Sequence, residues 1–135
     1  MMITFKSVTE SDFSFLYELL KTRRPVENIS HKKMPTFREH EKFCKSSPYQ
    51  FWEIIYDGVI KIGSAYISKL DEVAIHLLPK FQKKKSYIEI LKLLIKKHPK
   101  SRYLANVSSK NMKLMNLYKE NGFKLIQYTF EFQNN

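Results

Sequence analysis

Cysteine, glycine and acidic residues are all scarce in this 135-residue chain. The single cysteine, Cys44, excludes an internal disulfide, and no Cys/His cluster has metal-ligand spacing. No serine, histidine and aspartate stand in a context that reads as an activated nucleophile. A run of about 18 apolar residues is also missing, which excludes a membrane-spanning helix. The opening Met1-Met2-Ile3-Thr4-Phe5-Lys6 lacks the apolar core of a secretory signal, so the expected location is the cytoplasm. Only 13 Asp and Glu stand against 24 Lys and Arg, a formal net charge of +11.

What is present is enough for a folded body. Apolar residues make up 43% of the chain and aromatics 14%, so buried surface can offset chain entropy, while 27% charged residues keep the exterior wet. Length points to a single domain over residues 1–135. The basic residues are densest at Lys80-Phe81-Gln82-Lys83-Lys84-Lys85, with Lys92, Lys96, Lys97, Lys100 and Arg102 following. Such a block suits a phosphate-bearing partner, whether nucleotide cofactor, nucleotide-linked substrate or nucleic acid backbone; a solvated lysine-rich surface is the plain alternative.

Periodicity orders the chain. Ile3, Phe5 and Val8 suggest an opening strand, and Thr9-Glu10-Ser11-Asp12 has capping-box spacing before Phe13, Leu16, Tyr17 and Leu20 on one helical face. A polar connector, Thr22 to Pro35, leads to a second short helix capped at Thr36-Phe37-Arg38-Glu39 and ending near Ser46-Ser47-Pro48. Gln50 to Tyr56, the hairpin signal Asp57-Gly58, Val59 to Ser68 and Glu72 to Leu78 read as three strands of an antiparallel meander. Pro79 ends the last of these, and Ser86-Tyr87-Ile88-Glu89 offers a capping box for a third helix that stops at His98-Pro99. Tyr103 to Val107 predicts a short strand, Ser108 or Ser109 a cap for a helix over Asn111 to Asn121, and Gly122 its left-handed stop. Leu125 to Phe132 alternates like a strand, with Ile126, Tyr128, Phe130 and Phe132 on one side. The expected class is α/β (α+β): a mixed, mostly antiparallel central sheet with helices on both faces, in the order β-α-α-β-β-β-α-β-α-β.

Near the C-terminus, Asn111-Met112-Lys113-Leu114-Met115-Asn116-Leu117-Tyr118-Lys119-Glu120-Asn121-Gly122-Phe123 has the spacing N-x-x-x-x-x-L-Y-x-x-x-G-F. This segment, with the element order and a basic turn after the fourth strand, resembles the GNAT superfamily of acyl-CoA-dependent N-acyltransferases over nearly the whole chain. In that family the turn reads Q/R-x-x-G-x-G/A and holds the pyrophosphate on backbone amides at a helix N-terminus, where unpaired N–H groups and the helix dipole favour an anion. The matching segment here is Gln82-Lys83-Lys84-Lys85-Ser86-Tyr87, with Lys85 and Tyr87 at the two glycine positions and the lysines as compensating charges. Leu114 stands where a small residue is usual.

The resemblance implies roles residue by residue. Acetyl-CoA would be the cofactor, and the turn residues Gln82 to Tyr87 would meet its phosphates. Leu77 and Leu78 would offer backbone groups to the pantetheine and the developing oxyanion, and Asn111 would bond the pantetheine or adjacent backbone. Tyr118 would protonate the departing thiolate. For the base, His76 is the first candidate and Glu72, on the same face of the fourth strand, the alternative. The connector residues Arg23, Arg24, Glu27 and His31 would frame the acceptor. The implied activity is transfer of an acetyl group to a primary amine of a small molecule, a nucleotide-linked amino sugar being the first acceptor to consider. A binding module with weakened catalysis is the alternative, a nucleic-acid binder the less favoured one. A homodimer is an open possibility and a membrane partner is not expected.

Overall fold

The computed structural model describes residues 1–23 and 33–134. Arg24, Glu27 and His31, expected to frame the acceptor, lie outside the described residues. The elements are β1 (Ile3–Ser7), α1 (Phe13–Lys21), α2 (Phe37–Lys45), β2 (Phe51–Asp57), β3 (Ile60–Ile67), β4 (Glu72–Leu77), α3 (Lys84–Lys97), β5 (Leu104–Ala105) and α4 (Met112–Glu120), with 3-10 turns before α1 and after β4. The sheet order is β1-β2-β3-β4-β5. Every pairing is antiparallel except β4 with β5. This is the mixed, mostly antiparallel sheet expected.

Strand alternation divides the core between the two faces. Ile55, Val73, Leu77, Ile90, Leu91, Leu94, Leu117 and Tyr118 form one cluster, which seats α3 and α4. The adjacent Ile54 belongs to the other, with Phe13, Leu16 and Cys44 from α1 and α2. Consecutive residues of one strand thus serve opposite layers, as a pleat requires. On β2, Glu53 is buried to 2% exposure and is met at 3.0 Å by both Lys97 and His98, which pin the end of α3 to the sheet. The Asp57-Gly58 hairpin is present, with Gly58 at φ +62°. Thr36 and Glu39 close the expected capping box of α2, each bonding the other's amide.

Three local expectations are corrected. The third helix starts at Lys84, two residues before the Ser86 box, so Ser86 is a buried inner-face residue instead of a cap. The fourth helix is capped by Asn111, whose Oδ1 accepts the Leu114 amide at 3.2 Å, and not by Ser108 or Ser109. The alternating segment after Gly122 forms no strand: its residues are without regular structure and its aromatics are exposed. Alternation only sorts side chains; a strand also needs a neighbour's N–H and C=O groups, and no described strand lies beside this one.

Candidate active site

The site begins where the sheet splits. β4 and β5 pair only at Glu72 with Leu104 and Val73 with Ala105. Beyond that point the strands separate. The Glu72 carbonyl accepts from Ser68, just past β3, and the Leu78 amide donates to Ile62 of β3, so strand parity turns the amides of Ile75 and Leu77 toward the side that β5 has left. Leu78 is thereby corrected as a ligand donor, since its N–H is committed to the Ile62 carbonyl at 2.9 Å. The Leu77 amide, by the same parity, points away from β3. A cavity of about 1330 Å³ runs through the split, from α1 and α2 on one face to α3 and α4 on the other.

At the α3 end, the basic turn has become a helix N-terminus without a cap. Lys83 is the N-cap residue and makes no side-chain capping bond. The first amide used is that of Tyr87, which donates to the Lys83 carbonyl at 3.1 Å. Among the described residues nothing accepts from the amides of Lys84, Lys85 and Ser86. Lys85 and Tyr87 are both helical with negative φ, so neither position requires glycine for conformational reasons. Lysine is a poor cap, and three cations at the positive end of a helix dipole repel it; an anion would relieve both. Lys84 is partly neutralised by Glu120 of α4 at 2.6 Å. Gln82 does not offer its side chain: Nε2 donates to the Leu77 carbonyl at 2.9 Å and braces the turn against β4.

α4 brings Tyr118 to the same cavity. The ring is buried and the hydroxyl has no hydrogen-bond partner among the described residues. Burial, with the Tyr87 and Tyr66 phenols nearby, holds its pKa above the ordinary tyrosine value, so the proton stays on. Asn111 lines the cavity too, but its Oδ1 is taken by the α4 cap.

On the opposite face, His76 shares the cavity with Tyr66, whose strand position lies opposite Ala74. Enclosure first, then the Arg23 cation, pushes His76 down to about 3, so the imidazole is neutral at ordinary pH. Glu72 is not part of the lining; its carboxylate accepts from Ser68 Oγ at 2.8 Å and from Asn106 Nδ2, a clasp between β4 and the segment after β5. Glu72 is thus bonded away from the cavity, whereas His76 lines it. Sequence reasoning missed an aromatic wall on this side. Tyr49 stacks on Tyr66 at 3.7 Å with planes 5° apart, Trp52 meets Tyr49 edge-on at 4.8 Å, and Tyr17 and His40 continue it at 5.4 Å. The signal was the aromatic density at residues 49–52, but only tertiary pairing carries it to Tyr66 on β3.

No protein-family model and no curated protein matches this sequence. Solved structures do resemble it. A domain from Methanocaldococcus jannaschii superposes with a TM-score of 0.73 at 20% identity, covering 96% of this chain and 93% of that one. A spermidine N-acetyltransferase SpeG chimera of Vibrio cholerae and hSSAT gives 0.75 at 19% identity, covering 100% and 89%. A predicted acetyltransferase from Clostridium acetobutylicum, solved with acetyl-CoA, gives 0.71 at 14% identity, covering 98% and 96%. The fold is therefore GNAT-like, shared with these solved acetyltransferases.

Proposed function

We propose that the protein is an acetyl-CoA-dependent N-acetyltransferase acting on a primary amine of a small acceptor, by direct attack in a ternary complex. The observation that carries this reading is the uncapped N-terminus of α3, where three amides and the Lys83, Lys84 and Lys85 cations stand ready for phosphate. The Lys84, Lys85 and Ser86 amides would hold the pyrophosphate, with the flanking lysines as charges around it. The Leu77 amide, turned to the split, is available to the acyl carbonyl. Acetyl-CoA supplies an acetyl group activated as a thioester.

The residues around the split divide the proton work. Tyr118, held protonated, can donate to sulfur as the C–S bond breaks and the new C–N bond forms. His76, held neutral, can take the proton that the attacking nitrogen sheds, directly or through water. Because β4 presents His76 to one face and the α4 cluster to the other, donor and acceptor approach from opposite sides of the split.

The acceptor arm favours a planar or anionic amine over a polycation. Its lining is aromatic and carries Lys21, Arg23 and Lys33. Its carboxylate, Glu39, is engaged with the Thr36 amide. A nucleotide-linked amino sugar meets these terms, with a base to stack and phosphates to pair.

Titration calorimetry with acetyl-CoA, followed by thiol release across a panel of amino sugars, amino acids and polyamines, tests this. Saturable binding with turnover on an anionic amine supports it. Saturable heat without turnover on any amine leaves a binding module, and no heat at millimolar acetyl-CoA removes the reading altogether.

A further inference from the structure

We propose that the outer face of the α3 and α4 layer is a docking surface for the phosphate backbone of a nucleic-acid duplex, bound without regard to base sequence. This surface is separate from the cavity and independent of the acetyltransferase reading.

Charge is segregated along the chain. Residues 79–124 hold 13 of the 24 Lys and Arg but only 2 of the 13 Asp and Glu. The whole net charge of +11 therefore sits in that stretch, and the rest of the chain, with 11 of each sign, is neutral. Cations spread for solubility would cover both layers; here one layer carries all the excess.

The fold gathers the stretch on one side of the sheet. α3 and α4 seat on the cluster around Ile55 and Leu77, whereas α1 and α2 contribute to the cluster around Ile54. Lys84 of α3 meets Glu120 of α4 at 2.6 Å, which ties the two helices together. Lys85, Lys92 and Lys96 follow one another at seven and then four residues, so they share one stripe of α3. All three are exposed, as are Arg102, Lys110 and Lys119. Among the described residues, Lys84, Lys97 and Lys100 are the only ones of the thirteen in an ion pair. Lys92, Lys96, Arg102, Lys110 and Lys119 do not line the cavity, so acetyl transfer leaves them without a role.

Like charges at this density repel one another, and a partner with closely spaced anions relieves them. The 14 residues of α3 make a rod about 21 Å long. Over that length one strand of a duplex presents about six phosphates. The rest of the surface separates a duplex from its rivals. Phe81, Tyr87, Tyr103 and Phe123 are half-buried and Tyr118 is buried, so no exposed ring offers the bases of a single strand a stacking platform. Met112 is the one large apolar side chain exposed over residues 79–123, too little to seat the layer in a membrane. Such a surface holds a backbone and reads no sequence.

Fluorescence anisotropy of the full chain with labelled DNA and RNA duplexes of about 20 base pairs, the matching single strand and phosphatidylserine vesicles tests this. Duplex affinity should fall linearly with the logarithm of salt, with a slope of about −4 or steeper. Lys92→Ala/Lys96→Ala should weaken duplex binding at least about tenfold and make that slope shallower by about 2. Lys42→Ala/Lys45→Ala takes the same charge from exposed positions of α2, on the opposite layer, and should change affinity by less than about twofold. Alanine suits all four helical positions, so melting temperatures should stay near that of wild type. Binding of either duplex with this pattern supports the proposal. Absence of duplex binding at low salt overturns it, as does equal weakening by the two double variants, which would assign the effect to net charge instead of the layer. Tighter binding of the single strand or of the vesicles than of either duplex also overturns it.

Discussion

Phe123 returns to Tyr118 twice. Its amide donates to the Tyr118 carbonyl at 3.0 Å, and its ring packs on the phenol at 4.9 Å between centroids. The Gly122 amide meanwhile donates to the Lys119 carbonyl at 3.3 Å with φ at +92°. The pair of bonds is a Schellman stop, and the Leu-Tyr-x-x-x-Gly-Phe spacing is its signature as much as a cofactor motif. The two readings are one device: the helix stop fixes the ring that the chemistry needs.

Tyr118→Phe should therefore lower kcat by about 100-fold, with the affinity for acetyl-CoA little changed, because only the proton is lost. Stopped-flow thiol release on a turned-over amine, paired with calorimetry, separates the two. An unchanged kcat takes the proton-donor role away from Tyr118. Gly122→Ala meets no atom within 4 Å, so its cost is conformational alone, about 1–2 kcal/mol in thermal unfolding.

The lysines at the start of α3 should trade stability for binding. Lys83→Ala/Lys85→Ala removes two cations from the positive end of a helix and should raise the melting temperature of the ligand-free protein. The same variant should bind acetyl-CoA severalfold more weakly, and the deficit should shrink as salt rises. Lys84→Ala should behave differently, since it also strands Glu120, its partner at 2.6 Å. A double variant that melts lower and binds as well as wild type would place the phosphates elsewhere.

Residues that act through their neighbours in sequence were legible, and those that act through tertiary pairing were not. Thr36, Gly58 and Gly122 announce a cap, a hairpin and a stop because each works within a few residues of itself. Lys85 and Tyr87 stand where the family pattern has glycine; the helix starting at Lys84 makes their backbone ordinary and leaves three amides open. Glu72 and His76 share a strand face, yet Ser68 and Asn106 capture only Glu72. Tyr66 and Tyr49 stack across 17 positions of sequence, a distance no local period spans. The final segment misled for the opposite reason, since its pattern describes side chains and a strand is made by a neighbour.

The pH dependence of the reaction should belong to the acceptor. His76, pushed down to about 3, and Tyr118, held above the usual phenol range, do not change charge between about pH 5 and 9. kcat/KM should climb with the fraction of free amine and then level, without an added imidazole inflection. Stability should carry the His76 signature instead. Its folded pKa lies below the ordinary 6.5, so the unfolded chain binds the proton first and stability falls as pH drops from about 6.5 toward 3. His76→Gln should flatten that slope, read as melting temperature against pH.

Gly63 sets the approach of β3 to β4 at the mouth of the split. It pairs with Leu77, and a Cβ built on it would stand 2.2 Å from the His76 carbonyl oxygen, 2.9 Å from Leu77 Cδ2 and 3.0 Å from Leu77 Cα. Two of those three atoms are backbone, so no rotamer change relieves the clash. Gly63→Ala must push the end of β4 away from β3, costing about 1–3 kcal/mol as an overpacked core site. The displaced strand carries both His76 and the Leu77 amide, so acetyl-CoA affinity and kcat should fall together, unlike the split effect of Tyr118→Phe. Thermal unfolding and steady-state kinetics on one preparation check this. A Gly63→Ala protein that loses stability yet keeps wild-type kcat and acetyl-CoA affinity would show that the placement of His76 and Leu77 at the split does not govern turnover.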